Sequence, residues 1–80
     1  MEQATIYSSD FCGYCHMAKQ LLAQRGIPFH EITVDDDPAL RAEMTARSGR
    51  RTTPQIFFGE RHVGGFDDLA ALDRSGGLRA

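Results

Sequence analysis

Residues 4–34 read Ala-Thr-Ile-Tyr-Ser-Ser-Asp-Phe-Cys-Gly-Tyr-Cys-His-Met-Ala-Lys-Gln-Leu-Leu-Ala-Gln-Arg-Gly-Ile-Pro-Phe-His-Glu-Ile-Thr-Val. The first five residues, Ala4–Ser8, predict a strand, because Thr5, Ile6 and Tyr7 favour extended backbone. Ser9-Asp10-Phe11 is a loop. From about Cys12 to Arg25 the pattern turns helical, with Met17, Ala18, Leu21 and Leu22 forming an expected apolar stripe. Gly26 stands where a helix-ending glycine belongs, and Pro28 stops continuation. Phe29–Val34 predicts a second strand. Two strands joined by a helix make a parallel pair with a right-handed crossover, and that unit sets the fold class.

The remaining chain completes the pattern. Asp37 is an N-cap signal with Pro38 at the first helical position, opening a helix that ends near Ser48-Gly49. Gln55–Phe58 and Arg61–Val63 predict two strands. Gly59-Glu60 between them is a two-residue hairpin signal of the type II′ kind, which needs glycine first. Phe66–Ser75 predicts a third helix, with Leu69 and Leu72 inward. The order β-α-β-α-β-β-α predicts an α/β domain over residues 1–80: a mixed four-stranded sheet with three flanking helices.

Composition narrows the function classes. The chain has 80 residues, 41% hydrophobic and 25% charged, which excludes collagen-like, mucin-like and disordered chains. No apolar run approaches the roughly 20 residues that span a bilayer, and Met-Glu-Gln-Ala-Thr at the start lacks the features of a secretory leader. The expectation is a reducing compartment, the cytoplasm, with no membrane partner. Net charge is −2 but uneven: −4 over residues 1–40, +3 over 41–61 and −1 over 62–80. A nucleic-acid binder of this size would be basic overall. A basic segment in an acidic chain fits either a solvated surface or a small anionic ligand.

The two cysteines, Cys12 and Cys15, are too few for a disulfide-stapled secreted domain. A bridge between them closes so short a loop that chain entropy makes it worth only about 2 kcal/mol. Redox chemistry, half of a metal site and coincidence remain. A closed zinc site needs four ligands, and His16, His30 and His62 do not stand at zinc-finger spacing. The placement at a strand-to-helix junction favours redox chemistry. Unpaired N–H groups and the positive end of the helix dipole stabilise a thiolate there. Cys12 receives most of that effect, whereas Cys15, one turn on, stays thiol-like and can reach back to resolve a mixed disulfide on Cys12. Pro54 enters a strand, where it removes a ladder donor. Either the strand is an edge there, or the Thr53-Pro54 bond is cis and leaves the Thr53 backbone able to pair with an extended, peptide-like ligand. Gly64-Gly65 permits close backbone approach, and Asp67 either caps the last helix or holds a ligand ammonium.

Cys12-Gly13-Tyr14-Cys15 after the first strand, Thr52-Thr53-Pro54-Gln55-Ile56-Phe57 ahead of the hairpin and Gly64-Gly65-Phe66-Asp67-Asp68 before the last helix together resemble the glutaredoxin family. Arg47-Ser48-Gly49-Arg50 and the ending Ala71–Leu78 are similar to the small bacterial dithiol members of the glutaredoxin 3 type. The resemblance spans nearly the whole chain. It implies a thioredoxin fold and a glutathione-dependent thiol–disulfide oxidoreductase, with glutathione as reductant and ligand and with glutathionylated or disulfide-bearing proteins as substrates. It implies Cys12 as nucleophile, Cys15 as resolving thiol, and a glutathione site formed by Tyr14, Thr53, Pro54, Gly65, Phe66 and Asp67. The expected state is a monomer.

Three positions depart from the family pattern. Gly13 replaces a frequent proline, and a non-proline residue there is associated in the family with a [2Fe–2S] cluster held between two monomers by two Cys12 thiolates and two glutathiones. Ser9, beside Asp10, replaces a lysine near the glutathione glycyl carboxylate. Arg47, Arg50 or Arg51 is expected to supply that charge, and Asp10 would oppose the Cys12 thiolate if it lay close. Thr53 replaces a valine, which matters little if the backbone makes the contact. Three rival functions stand beside the oxidoreductase. One is the cluster carrier. Another is a redoxin reduced by thioredoxin reductase, which the absence of Trp disfavours. The third is a binding module with incidental cysteines.

Overall fold

The computed structural model describes residues 3–78. Strand β1 (Ala4–Ser8) leads through helix α1 (Gly13–Gln24) to β2 (Phe29–Thr33). Helix α2 (Pro38–Ser48), the hairpin of β3 (Gln55–Phe58) and β4 (Arg61–Gly64), and helix α3 (Phe66–Arg74) complete it. The sheet order is β2-β1-β3-β4. β1 pairs parallel with β2 and antiparallel with β3, and β3 pairs antiparallel with β4. This is the expected thioredoxin-fold arrangement, and each element end lies within about a residue of the sequence reading. Val34 falls just past β2, yet its N–H still donates to the Ser8 carbonyl at 2.9 Å. No helix among the described residues is long and apolar enough to cross a membrane.

Alternation along the two central strands builds two cores, because successive side chains point to opposite faces. Ala4, Ile6, Ile56 and Phe58 bury against Ala18 and Leu22 of α1 and Leu69 of α3. Tyr7 and Phe57 point the other way and bury with Val34 and Met44 of α2. The α1 stripe differs from the sequence reading at one residue. Cys15, Ala18 and Leu22 are its buried members, spaced three and four apart, while Met17 lies about a quarter turn away and is 45% exposed.

Local signals set the joints. Asp37 Oδ1 accepts from the Leu40 N–H at 3.1 Å, and Pro38 opens α2. At the β3–β4 hairpin, Gly59 has φ +58° while Glu60 keeps a negative φ, as a II′ turn requires. Gly64 has φ +126°, and a Cβ there would collide with the Asp68 carboxylate, so glycine is what lets α3 begin tight against the sheet.

Candidate active site

The β1–α1 loop presents Cys12 as the residue that caps α1. Its backbone is extended (φ −117°, ψ 110°), and its sulfur accepts from the Cys15 N–H at 3.2 Å, in the place a serine or aspartate oxygen often takes. The Cys12 thiol donates to the Thr53 carbonyl at 3.7 Å. Burial alone would raise its pKa. Hydrogen bonds from the Cys15 side chain and N–H, from Thr53 and from the Tyr14 N–H outweigh that, and the thiol falls below the ordinary value. Asp10, on the same loop, does not reverse this. Cys15 is fully buried. Burial first, then the hydrogen bond it gives to Cys12, pushes its thiol up to about 11. The two sulfurs are both free thiols one helical turn apart, with opposite acidities.

The loop is tied down on one side. Ser9 Oγ donates to Asp35 Oδ1 at 2.6 Å, the Asp10 N–H donates to Asp35 Oδ2 at 2.7 Å, and the His16 ring nitrogen lies 3.1 Å from the Asp10 carbonyl. Ser9 therefore faces Asp35. Lys19 pairs with Glu31 at 2.9 Å.

Beside Cys12 opens a groove of about 270 Å³. Tyr14, Thr53, Pro54, Gly65, Phe66 and Asp67, brought from three separated segments, all line it, together with Arg50, Thr52, Gln55 and Asp68. The Thr53-Pro54 peptide is cis. Tyr14 stacks on Phe66, ring centroids 6.0 Å apart, and the pair forms one wall. At the α3 end Asp68, not Asp67, closes the helix start: its Oδ2 accepts from the Gly65 N–H at 3.0 Å and from Arg50 Nη1 at 3.0 Å. These bonds hold the Asp68 carboxyl below its usual range, the Arg50 contact foremost. Asp67 stands on the groove wall.

The three arginines separate cleanly. Arg47, itself exposed, lies over the Phe57 ring at 4.2 Å and donates to Tyr7 Oη at 2.8 Å, so it is engaged against the second core. Arg51 is exposed, and its carbonyl accepts from Arg41. Arg50 is the cation on the groove.

Gln55 and His62 escaped the sequence reading. Gln55 is buried, and its amide nitrogen donates to the Thr52 carbonyl at 2.9 Å. Its Oε1 lies 2.8 Å from His62 Nε2, which must carry the proton for this contact to be a hydrogen bond. His62 packs on Phe57. Burial, with Arg50 nearby, lowers its pKa and favours the neutral ring that makes this bond. The chain His62–Gln55–Thr52 thus fixes the groove floor beside Thr53. The only sequence signal was a lone amide in an otherwise apolar strand.

Gly13 is the first residue of α1, and a Cβ there meets nothing within 4 Å. The preceding Cys12 already has the extended backbone that a following proline demands. Gly13→Pro is therefore expected to stabilise the fold by about 0.4–1 kcal/mol through the unfolded chain. In a domain of this size that is about 2–8 °C in Tm, measurable by thermal denaturation of the reduced protein.

Comparison with known proteins gives a consistent picture. The family model described as "Glutaredoxin" matches residues 4–63. The chain is 51% identical to glutaredoxin 3 of Escherichia coli over 78 residues, covering 98% of this chain and 94% of that protein. The solution structure of glutaredoxin from Brucella melitensis superposes with a TM-score of 0.85 at 54% identity, covering 98% of this chain and 85% of that one. The crystal structure of a buckwheat glutaredoxin–glutathione complex superposes with a TM-score of 0.85 at 33% identity, covering 94% and 71%.

Proposed function

The chain belongs to the glutaredoxin family of thiol–disulfide oxidoreductases, and from that premise we propose that it acts with glutathione, through Cys12 as nucleophile and Cys15 as resolving thiol. The observation that carries this reading is the acidified Cys12 thiol, hydrogen-bonded to Thr53 on the groove lining, with a buried, high-pKa thiol one turn behind it. In a glutathionylated protein, the Cys12 thiolate attacks the glutathione sulfur and the protein leaves as a thiolate. A second glutathione thiolate then attacks that same sulfur, releasing oxidised glutathione and regenerating Cys12. With a protein disulfide, Cys12 attacks one sulfur and the other departs. Cys15, losing its proton, then attacks Cys12 and frees the second protein thiolate. The resulting Cys12–Cys15 disulfide is reduced by two glutathiones.

The groove chemistry suits glutathione, a tripeptide with two carboxylates and one ammonium. Arg50 offers a guanidinium to a carboxylate, Asp67 a carboxylate to the ammonium, and the α3 start at Phe66 a backbone N–H to the other carboxylate. Tyr14 flanks the ligand, and the Thr53 backbone ahead of Pro54 pairs with its cysteinyl unit. The domain works as a monomer in the cytoplasm. Arg50→Met should raise KM for a glutathione mixed disulfide about tenfold, the worth of one charge-assisted contact, with kcat nearly unchanged. Steady-state kinetics over a range of substrate concentrations separate the two.

The decisive assay follows NADPH oxidation with the mixed disulfide of glutathione and 2-mercaptoethanol. One arm holds glutathione and glutathione reductase, the other thioredoxin reductase alone. Turnover in the first arm only is expected. Turnover in the second only would move the chain to the thioredoxin-reductase-dependent redoxins.

Gly13 favours one second reading, a [2Fe–2S] carrier. Among the described residues no three His, Cys, Asp or Glu side chains gather as a metal site. One chain therefore offers such a cluster the Cys12 thiolate, and a second copy with two glutathiones completes the four ligands. Visible absorption after anaerobic reconstitution with glutathione, lost in Cys12→Ser, tests it.

A further inference from the structure

The segment leading into Cys12 is held by two side chains that the chemistry above does not use. β1 and β2 stay paired to their ends, where the Val34 N–H donates to the Ser8 carbonyl at 2.9 Å. Asp35 follows Val34 and continues the fastening beyond the strands. Its two oxygens take successive residues of the β1–α1 loop. Oδ1 accepts from Ser9 Oγ at 2.6 Å, and Oδ2 accepts from the Asp10 N–H at 2.7 Å. His16, near the start of α1, takes the other side of Asp10. Its Nε2 lies 3.1 Å from the Asp10 carbonyl, which can only accept, so that nitrogen donates. Both backbone groups of Asp10 are thus engaged, one by the end of β2 and one by α1, two residues before Cys12.

The two halves of the reaction depend on this clamp differently. The groups that activate Cys12 belong to α1 and to Thr53, so attack on a small disulfide draws on neither Asp35 nor the His16 ring. Resolution is stricter. The Cys15 sulfur is buried and must meet the Cys12 sulfur in line with the departing one. Such an intramolecular step is as fast as its two atoms are well placed, and a small misplacement costs it heavily. The clamped segment also carries the Ser9 N–H, whose hydrogen bond favours the Cys15 thiolate.

We propose that Asp35, assisted by His16, is a positioning residue for the resolving step: it fixes the Ser9–Asp10 segment so that the Cys15 sulfur meets the Cys12 sulfur of a mixed disulfide. This rests on the reading of Cys15 as the resolving thiol. In that step the Cys15 thiol gives its proton to solvent, its thiolate bonds to the Cys12 sulfur, and the substrate sulfur leaves as a thiolate with the pair of the broken S–S bond.

The test mixes the reduced whole chain with an excess of the symmetric disulfide of thionitrobenzoate in a stopped-flow instrument. Attack by Cys12 releases one coloured thionitrobenzoate anion, in a phase whose rate rises with reagent concentration. Resolution by Cys15 releases a second, in a phase whose rate does not. Wild type is expected to show both phases and Cys15→Ser only the first. Asp35→Ala should slow the second phase about tenfold and leave the first within about twofold. Asp35→Asn should behave as wild type, because its amide can accept from the Asp10 N–H and donate to Ser9 Oγ. Both variants lack the charge, so the difference between them belongs to the clamp. His16→Ala should slow the second phase by about threefold, since Asp35 still holds the segment. Equal slowing of both phases by Asp35→Ala, an unchanged second phase, or no recovery in Asp35→Asn would overturn the proposal. If Asp35→Ala does not fold, Ser9→Ala, which removes one of the two Asp35 bonds, decides by the same split between phases. A single phase from the wild-type chain is a distinct outcome: it would overturn the resolving role of Cys15, and this proposal with it.

Discussion

Cys12→Ser is expected to lower turnover of glutathione mixed disulfides by about 10³-fold or more, with the fold intact. A serine hydroxyl still caps α1 and still accepts from the Cys15 N–H, so stability should change by only a few tenths of a kcal/mol. What disappears is the polarisable anion. The hydrogen bonds that hold Cys12 below the ordinary thiol pKa are too weak to ionise an alcohol. The companion measurement is alkylation of the reduced wild-type chain against pH. A lowered pKa moves the thiolate population toward acid. Labelling of Cys12 by iodoacetamide should therefore rise and level off at a pH below that of a model thiol. Cys15, with its thiol near 11 and no exposed surface, should stay unlabelled until the solution is strongly alkaline. Two labels at equal rates near neutrality would contradict the division of labour.

Cys15→Ser should split the two reactions. Reduction of a protein disulfide needs a second thiol to release the substrate from Cys12, so it is expected to fall about 100-fold or more. Turnover of a glutathione mixed disulfide should remain within a fewfold of wild type, because external glutathione resolves that intermediate. The serine hydroxyl can still donate to the Cys12 sulfur, so the nucleophile keeps most of its activation. Parallel assays with insulin and with the 2-mercaptoethanol–glutathione mixed disulfide read the two arms. Equal losses in both would mean that Cys15 supports Cys12 rather than resolving disulfides.

Much of this was legible in the chain because it is local. Alternation, the Asp37-Pro38 helix start, the Gly59-Glu60 turn and the Cys12 junction depend on neighbours a few residues apart, and the structure reproduces them. Met17 was misread because periodicity gives a stripe but not its edges: which side of a helix meets the sheet is decided by packing. The three motif segments do converge on one groove. The choice among Arg47, Arg50 and Arg51 was not legible, since it turns on which side of the sheet each guanidinium reaches. The same holds for Asp67 and Asp68, two adjacent carboxylates at a helix start, of which Gly65 and Arg50 engage only the second. Gln55 and His62 meet across a hairpin, and no spacing rule announces a side-chain bond between strands.

The burial of Cys15 directly behind Cys12 also bears on chemical damage. A solvent-reachable thiolate is the first target of hydrogen peroxide, which converts it to a sulfenic acid, and further oxidation to sulfinic acid is irreversible for most proteins. Here the sulfenic acid would form against a second thiol that peroxide itself cannot reach. Condensation of the two, with loss of water, ends in the same disulfide that normal turnover produces. The oxidant's lesion and the resting oxidised state thus become one species, open to repair by the ordinary reductant. Only a chain without its inner cysteine would be expected to accumulate the irreversible product.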